Sequence, residues 1–408
     1  MEEIDVPQYF LCPISLQIMR DPVTTITGIT YDRESIEQWL KTSEDATCPA
    51  TKQPLHRDSD LTPNHMLRRL IQAWCTTNAK YGIDRIPTPK SPLSKSYVYK
   101  LIRDLKISQF YHNALKKLDE LANENIEWNR KCMVEAGVTK VVVLLIIKCF
   151  KEGKTKGLEE ALRILYHIWT ATPENKQIVV ENNDLFESLT WVLRIHIDNH
   201  VVVKTHAIKI LKVITEVSSS SSSLIGQLKL DFFMLITSIL RGKLSQQAIK
   251  ASLHVLIQSC PQGTNRMKII EAGAIFDLIE LELSNPEKRT TELIFCLLAQ
   301  LCSCADGRAQ LLKHPAGIAM ISKRTLRVSS ATDDRAMNIF AQITRFSATN
   351  VVLIEMLRVG AVSKLCMILQ ANCEAHLKKT ATEILRFHSN VWNNSPCIQV
   401  YLLTRCAR

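Results

Sequence analysis

The first 55 residues of this 408-residue chain contain only two cysteines, Cys12 and Cys48, and no histidine. A structural zinc takes about four Cys or His ligands, so a metal-stapled module is excluded there. Aromatics are sparse at 6%, and there are only 12 glycines and 14 prolines. With Leu, Ile and Val dominant, the scarcity of chain breakers favours helices. The longest unbroken apolar run, Val141 to Ile147, has seven residues, far short of the roughly 20 that cross a bilayer. The opening residues Glu2, Glu3 and Asp5 lack the pattern of a secretory signal, which points to a cytoplasmic protein, with a nuclear or peripheral membrane location compatible. Thirteen cysteines, scattered through apolar stretches, read as free buried thiols in a reducing compartment.

What is present divides the chain. Apolar residues make up 46% and charged residues 22%, normal for a folded protein longer than one ordinary domain. The +11 net charge is uneven. Residues 1–79 carry seven basic against eleven acidic residues, a net of −4, which leaves +15 for the remainder. That basic remainder reads as a lysine-rich solvated surface. No nucleic-acid motif accompanies it, so no nucleic-acid partner is expected. Residues 6–79 form a compact mixed unit. Residues 80–97, with Pro87, Pro89 and Pro92, form a linker that no helix can occupy. Residues 98–390 show apolar recurrence at helical spacing, and 391–408 form a tail.

The long segment repeats. Asn129 to Gly137 and Asn265 to Gly273 each end in Glu-Ala-Gly, with Asn leading Gly by eight residues. Weaker copies start at Asn175, Gly307 and Asn350, and the starts differ by 46, 90, 42 and 43 residues. The 90 is two periods, with a degenerate copy around the serine tract 218–223. A period of about 40–47 fits armadillo or HEAT solenoids. The expected unit is an amphipathic helix such as 158–170, a short helix, a glycine that ends it, and a longer apolar helix such as 138–149 or 274–283. About six such units are expected.

In the first unit, Ile14 and Leu16 flank Ser15 beside Cys12-Pro13, and Pro49 belongs to a second Cys-Pro loop. Residues 32–40 read as a helix with Asp32 as N-cap and Ile36, Trp39 and Leu40 on one face. Two loops flanking a helix make a shallow apolar groove. On composition alone, Ile14, Leu16 and Pro49 read as core packing before docking surface.

The order of these elements resembles a zinc-binding RING without its ligands. The segments Cys12-Pro-Ile-Ser, Met19-Arg-Asp-Pro-Val, Gly28-Ile-Thr-Tyr-Asp-Arg, Cys48-Pro, Leu61-Thr-Pro-Asn-His and Leu67-Arg-Arg-Leu-Ile-Gln resemble the metal-free U-box of plant ubiquitin ligases. The chain resembles the plant U-box armadillo ligases over nearly its whole length. The fold implied is mixed: a small α+β RING-like U-box, then an all-α armadillo solenoid. The resemblance implies that Ile14, Leu16 and Pro49 contact a ubiquitin-conjugating enzyme, with Trp39 supporting the groove and Lys52 touching both that enzyme and ubiquitin. It implies a transferase that positions the conjugating enzyme's thioester for attack by a lysine of a substrate held by the repeats. No catalytic residue, covalent intermediate on the ligase, cofactor or metal is implied. It also implies a role in plant stress or immune signalling.

Ser15, Asp21, Asp32, Arg33, Thr51 and Asn64 are candidates to replace zinc with buried hydrogen bonds between loops, Asn64 also capping the helix from His65. Cys12 and Cys48 are expected to be structural, since no His–Asp arrangement activates either thiol. Leu67, Leu70 and Ile71 can pack on the domain or on a second copy, so a homodimer through the U-box is compatible. Thr62, Thr88 and Ser91 precede prolines and fit proline-directed kinases. Cys302-Ser-Cys304 and the histidines 196, 200 and 206 show no metal frame. Trp169 and Trp191 lack the Asn four residues on that nuclear-signal receptors use. The rival readings are a non-catalytic armadillo scaffold and a basic nucleic-acid-binding solenoid.

Overall fold

Buried apolar side chains form two clusters, one from Phe10 to Cys75 and one from Val98 to Trp392. The backbone divides into two compact units, residues 1–92 and 93–408. The structure is a computed structural model that describes residues 6–42, 47–55, 60–78, 93–124, 126–169, 172, 175, 177–178, 184–195, 200–218, 226, 228–242 and 244–400.

The first unit is built on a three-stranded antiparallel sheet, β1 (Pro22–Thr24), β2 (Thr30–Asp32) and β3 (Thr62–Pro63), in the order β2-β1-β3. Val23 in the central strand faces Tyr31 on one side and Pro63 on the other. Pro63 sits on an edge strand, where its missing N–H costs no ladder bond. Helix Arg33–Thr42 leaves β2 directly and buries Ile36 and Leu40. Helix His65–Thr77 follows β3 and buries Ile71 and Cys75 against the same core.

The second unit starts earlier than its prolines suggested. Helix Lys95–Asp104 begins inside the segment 80–97 assigned to a linker. The last proline is Pro92, and Ser94 accepts the Tyr97 N–H as N-cap, so nothing opposes a helix from Lys95 onward. Residues 80–92 of the linker, with Thr88 and Ser91, lie outside the described residues, as does most of the serine tract.

From Tyr111 a three-helix grammar recurs. It is complete in Tyr111–Asn123, Glu127–Glu135 and Val138–Glu152, and again in Gln246–Ser259, Gly263–Glu271 and Ala274–Leu283. It recurs in Lys288–Leu301, Ala305–Lys313 and Gly317–Arg324, and in Ser330–Phe346, Asn350–Arg358 and Ala361–Gln370. Gly137, Gly273 and Gly360 join second to third helix at φ 81°, 81° and 75°. This is the left-handed conformation that costs other residues about 1–2 kcal/mol. The motif's leading Asn bonds differently from copy to copy, and Asn129 Nδ2 donates to Glu124 Oε2 at 2.9 Å. Asn265 Nδ2 bonds the Ser259 carbonyl at the end of the preceding helix. In the copy where glycine replaces that Asn, the neighbouring Arg308 reaches the Cys302 carbonyl, one residue past the matching helix end, at 3.0 Å. First helices stack on one another, 200–218 on 246–259 and 288–301 on 330–346, so one core runs the length of the unit.

The tail assignment from 391 is also corrected. Trp392, in helix Ser389–Trp392, is fully buried and its Nε1 donates to the Leu353 carbonyl. Burial of so large a ring is worth about 2–3 kcal/mol and holds this segment to the last repeat. Among the described residues no helix is long and apolar enough to cross a membrane.

Candidate docking site on the paired loops

Residues 12–17 (Cys-Pro-Ile-Ser-Leu-Gln) and 48–53 (Cys-Pro-Ala-Thr-Lys-Gln) fold into the same loop twice. Cys12 N bonds Gln17 O at 2.8 Å and Leu16 N bonds Cys12 O at 2.8 Å; Cys48 N bonds Gln53 O at 2.8 Å and Lys52 N bonds Cys48 O at 2.9 Å. Each loop is closed by one bridge, Leu11 to Ile18 and Thr47 to Pro54. The fifth residue of each is left-handed, Leu16 at φ 56° and Lys52 at φ 60°. A non-glycine residue in that region is strained by about 1 kcal/mol or more.

Both loops are fastened to β2. Asp32 N donates to Cys12 Sγ at 3.3 Å, and Tyr31 Oη lies 3.0 Å from Cys48 Sγ while accepting the Ala50 N–H at 3.1 Å. Thr27 Oγ1 donates to Cys48 Sγ at 3.3 Å. Trp39 Nε1, from the helix after β2, donates to the Thr47 carbonyl at 2.9 Å, at the foot of the second loop. Burial raises the Cys48 thiol pKa, but hydrogen bonds from Thr27, Thr51 and Tyr31 outweigh it and bring it down to about 6. Cys12 behaves alike: burial raises it, while bonds from Ser15, Asp32 and Ile14 hold it below the ordinary thiol range. Burial first, then Cys48, pushes the Tyr31 phenol upward. Both thiols are fully buried, so they act as hydrogen-bond hubs out of reach of an external electrophile.

The expected polar residues divide into two groups. Asp21, Arg33 and Asp32 join separate segments through their side chains, whereas Asn64 does so only through its backbone N–H, which bonds Pro22 O at 2.9 Å. Asp21 takes Arg33 Nε at 2.7 Å on one oxygen and Arg68 on the other. Asp32 Oδ1 accepts the amides of Arg20 and Asp21 at 2.7 and 2.8 Å, so its side chain ties β2 to the segment before β1. Asn64 Oδ1 caps the second helix at Leu67 N. Ser15 and Thr51 are corrections. Both are exposed, and each serves the cysteine of its own loop, because the tight turn points a side chain at that position back at its own first residue. Tyr31, Thr27 and Arg68 were missed. The signal for Tyr31 was an inward strand position carrying a hydroxyl that had to find a partner.

The surface residues separate as sharply. Leu16 is 75% exposed, the most of any large apolar residue among the described residues of the first unit. Ile14 is half-buried and packs on the core with Trp39, Pro49 is half-buried, and Lys52 is exposed. The core reading of these residues therefore fails for Leu16 and holds in part for Ile14. Thr62 is exposed in β3. Ile71 and Leu67 pack on their own domain, whereas Leu70 points outward.

The family model of the U-box domain matches residues 6–80, and that of the plant U-box protein ARM repeat region matches residues 97–407. The chain belongs to the plant U-box family with armadillo repeats. Among its relatives, E3 ubiquitin-protein ligase PUB23 of Arabidopsis thaliana is 43% identical over 97% of this chain and 96% of its own. E3 ubiquitin-protein ligase PUB24 of the same plant is 42% identical over 99% and 96%. A solved structure from work on a phosphorylation switch in the cadherin and beta-catenin interaction has a TM-score of 0.59 at 12% identity. It covers 79% of this chain and 58% of its own, a likeness of fold alone. In U-box terms, β2 is the strand on which both matched loops hang.

Proposed function

We propose that this protein is an E3 ubiquitin ligase whose U-box receives a ubiquitin-charged conjugating enzyme on the two matched loops. Leu16 is the apolar anchor, Ile14 and Pro49 flank it, Trp39 braces the second loop, and Lys52 reaches toward ubiquitin. The observation that carries this reading is the exposure of Leu16 at a strained left-handed position: a folded domain gains nothing by holding a leucine in water at that conformation. Rate enhancement is positional. Holding the thioester oriented for a substrate lysine replaces a bimolecular search with an arranged encounter. No covalent ubiquitin adduct forms at the docking loops, because Cys12 and Cys48 are enclosed.

The third helices of the repeats, with Leu230–Ile239 as a further one, present Leu144, Met234, Phe276 and Met367, each about half exposed, and we assign the substrate to these helices. Full-length relatives named as ligases support the assignment. A stress or immune setting in the cytoplasm, at the nucleus or at a membrane surface belongs to the same proposal. The test is autoubiquitination with a panel of conjugating enzymes, comparing the wild type with Leu16→Ala and Ile14→Ala. Activity is expected with at least one conjugating enzyme and is lost in the variants. A wild type inactive wherever a control U-box works would leave the scaffold reading standing.

A further inference from the structure

The first two repeats enclose a cleft of about 1110 Å³ between the turn after helix Glu127–Glu135 and the end of helix Leu158–Ile168. Its wall has an unusual charge pattern. Arg130, Lys131 and Lys140 all line it, and among the described residues none has a carboxylate at ion-pair distance. Of the two acids on its rim, Glu135 is held by Lys95 at 2.7 Å, which leaves Glu127. Lys140 occupies the first turn of the fifteen-residue helix Val138–Glu152, which has no acidic residue in that turn and no side-chain cap. A cation there adds to the positive end of the helix dipole instead of offsetting it.

Two buried donors in the same wall lack acceptors. Thr139 is 2% exposed and its Oγ1 has no hydrogen-bond partner; the indole Nε1 of Trp169 has none either. An unmet buried donor costs about 1–3 kcal/mol, so positive potential and unused donors coincide. Ile168 and the Trp169 ring add an apolar floor.

We infer that this cleft binds an acidic peptide segment of a partner protein, its carboxylates set against Arg130, Lys131, Lys140 and the helix end, and an apolar residue set against Trp169. The inference concerns binding alone and stands whether or not the U-box transfers ubiquitin.

The test measures fluorescence anisotropy of the full chain with a short fluorescein-labelled peptide of repeated Glu-Glu-Leu triplets. Wild type binds it, and a Gln-Gln-Leu peptide binds at least about tenfold more weakly. Lys131→Glu with Lys140→Glu weakens binding by about tenfold or more, while the equal charge change Lys288→Glu with Lys379→Glu, on exposed sites in later repeats, leaves it within about twofold. Thr139→Val weakens binding several-fold with thermal stability unchanged or raised, since it removes an unsatisfied hydroxyl at equal shape. Equal losses in both charge-reversed variants, equal binding of the glutamine peptide, no binding by wild type, or tighter binding of an oligothymidylate each overturn the inference. Autoubiquitination by the Lys131→Glu, Lys140→Glu variant is expected to match wild type, which separates this result from failure of the ligase reading.

Discussion

Tyr31 Oη meets Cys48 Sγ at 3.0 Å inside the first unit, and the same oxygen accepts the Ala50 N–H. One hydroxyl thus anchors a whole loop to β2. Tyr31→Phe keeps the ring and removes the anchor. It leaves a buried thiol and an amide short of partners, at a cost of about 1–3 kcal/mol. Hydrogen exchange should show the amides of Cys48 and Lys52 opening faster in this variant, with those of Cys12 and Leu16 changed much less. Equal acceleration in both loops would mean that Tyr31 supports the domain generally.

Leu16 separates function from stability. Because it is exposed, Leu16→Ala should alter stability by no more than about 0.5 kcal/mol. Leu16→Gly should hold or raise it, since glycine carries no penalty at φ 56°. Both should lose most ubiquitin transfer. Denaturation alongside a single-turnover discharge assay checks the pair; a destabilised Leu16→Gly contradicts the strain argument.

Among the repeats, Glu282 has a fully enclosed side chain paired with Arg324 at 2.6 Å, and Thr291 donates to its Oε1. Burial raises the Glu282 pKa against the opposing pull of Arg324 and Thr291. Arg324→Met leaves that carboxylate without its cation, and the expected loss is about 3–5 kcal/mol. Adding Glu282→Leu should restore most of it. Equilibrium denaturation of the single and double variants gives the coupling.

His206 gives the repeats an acid sensitivity. Burial, followed by the charges of Lys209, His167 and Arg163, lowers its pKa from 6.5 to about 4. Between those values the unfolded chain binds a proton that the folded chain refuses. Stability is therefore full above pH 6.5 and falls as the pH drops toward about 4. The loss is on the order of 2 kcal/mol once partial solvent screening is allowed for. His206→Gln should flatten the melting-temperature profile across that window; an unchanged slope would assign the acid sensitivity to other groups.

Periodicity made the repeats legible, because a two-sided stack demands apolar residues at helical spacing and a glycine wherever the chain turns left-handed. Gly137, Gly273 and Gly360 all take that conformation. The end of the array was less legible: Trp392 follows polar residues and faces a repeat about 40 residues earlier in the chain, so nothing local announces its burial. In the first unit, the helix cap at Asn64 followed from local spacing. The loop geometry did not, because Leu16 and Lys52 are left-handed without being glycine. The doubling of Cys-Pro-x-(Ser or Thr)-x-Gln at residues 12–17 and 48–53 is visible in the letters, yet six residues are too few to reveal that both copies close alike. Ser15 and Thr51 were placed between loops for the same reason: side-chain direction in a tight turn depends on backbone angles that residue type alone does not specify.

A stack of repeats has an outer face at its last unit with nothing to cover it. Trp392, seated on Leu353 and beside the ring of His388, covers part of that face where helix Asn350–Arg358 would otherwise lie open. A chain shortened before Trp392 would bare that apolar face, and self-association rather than simple unfolding is the failure to expect.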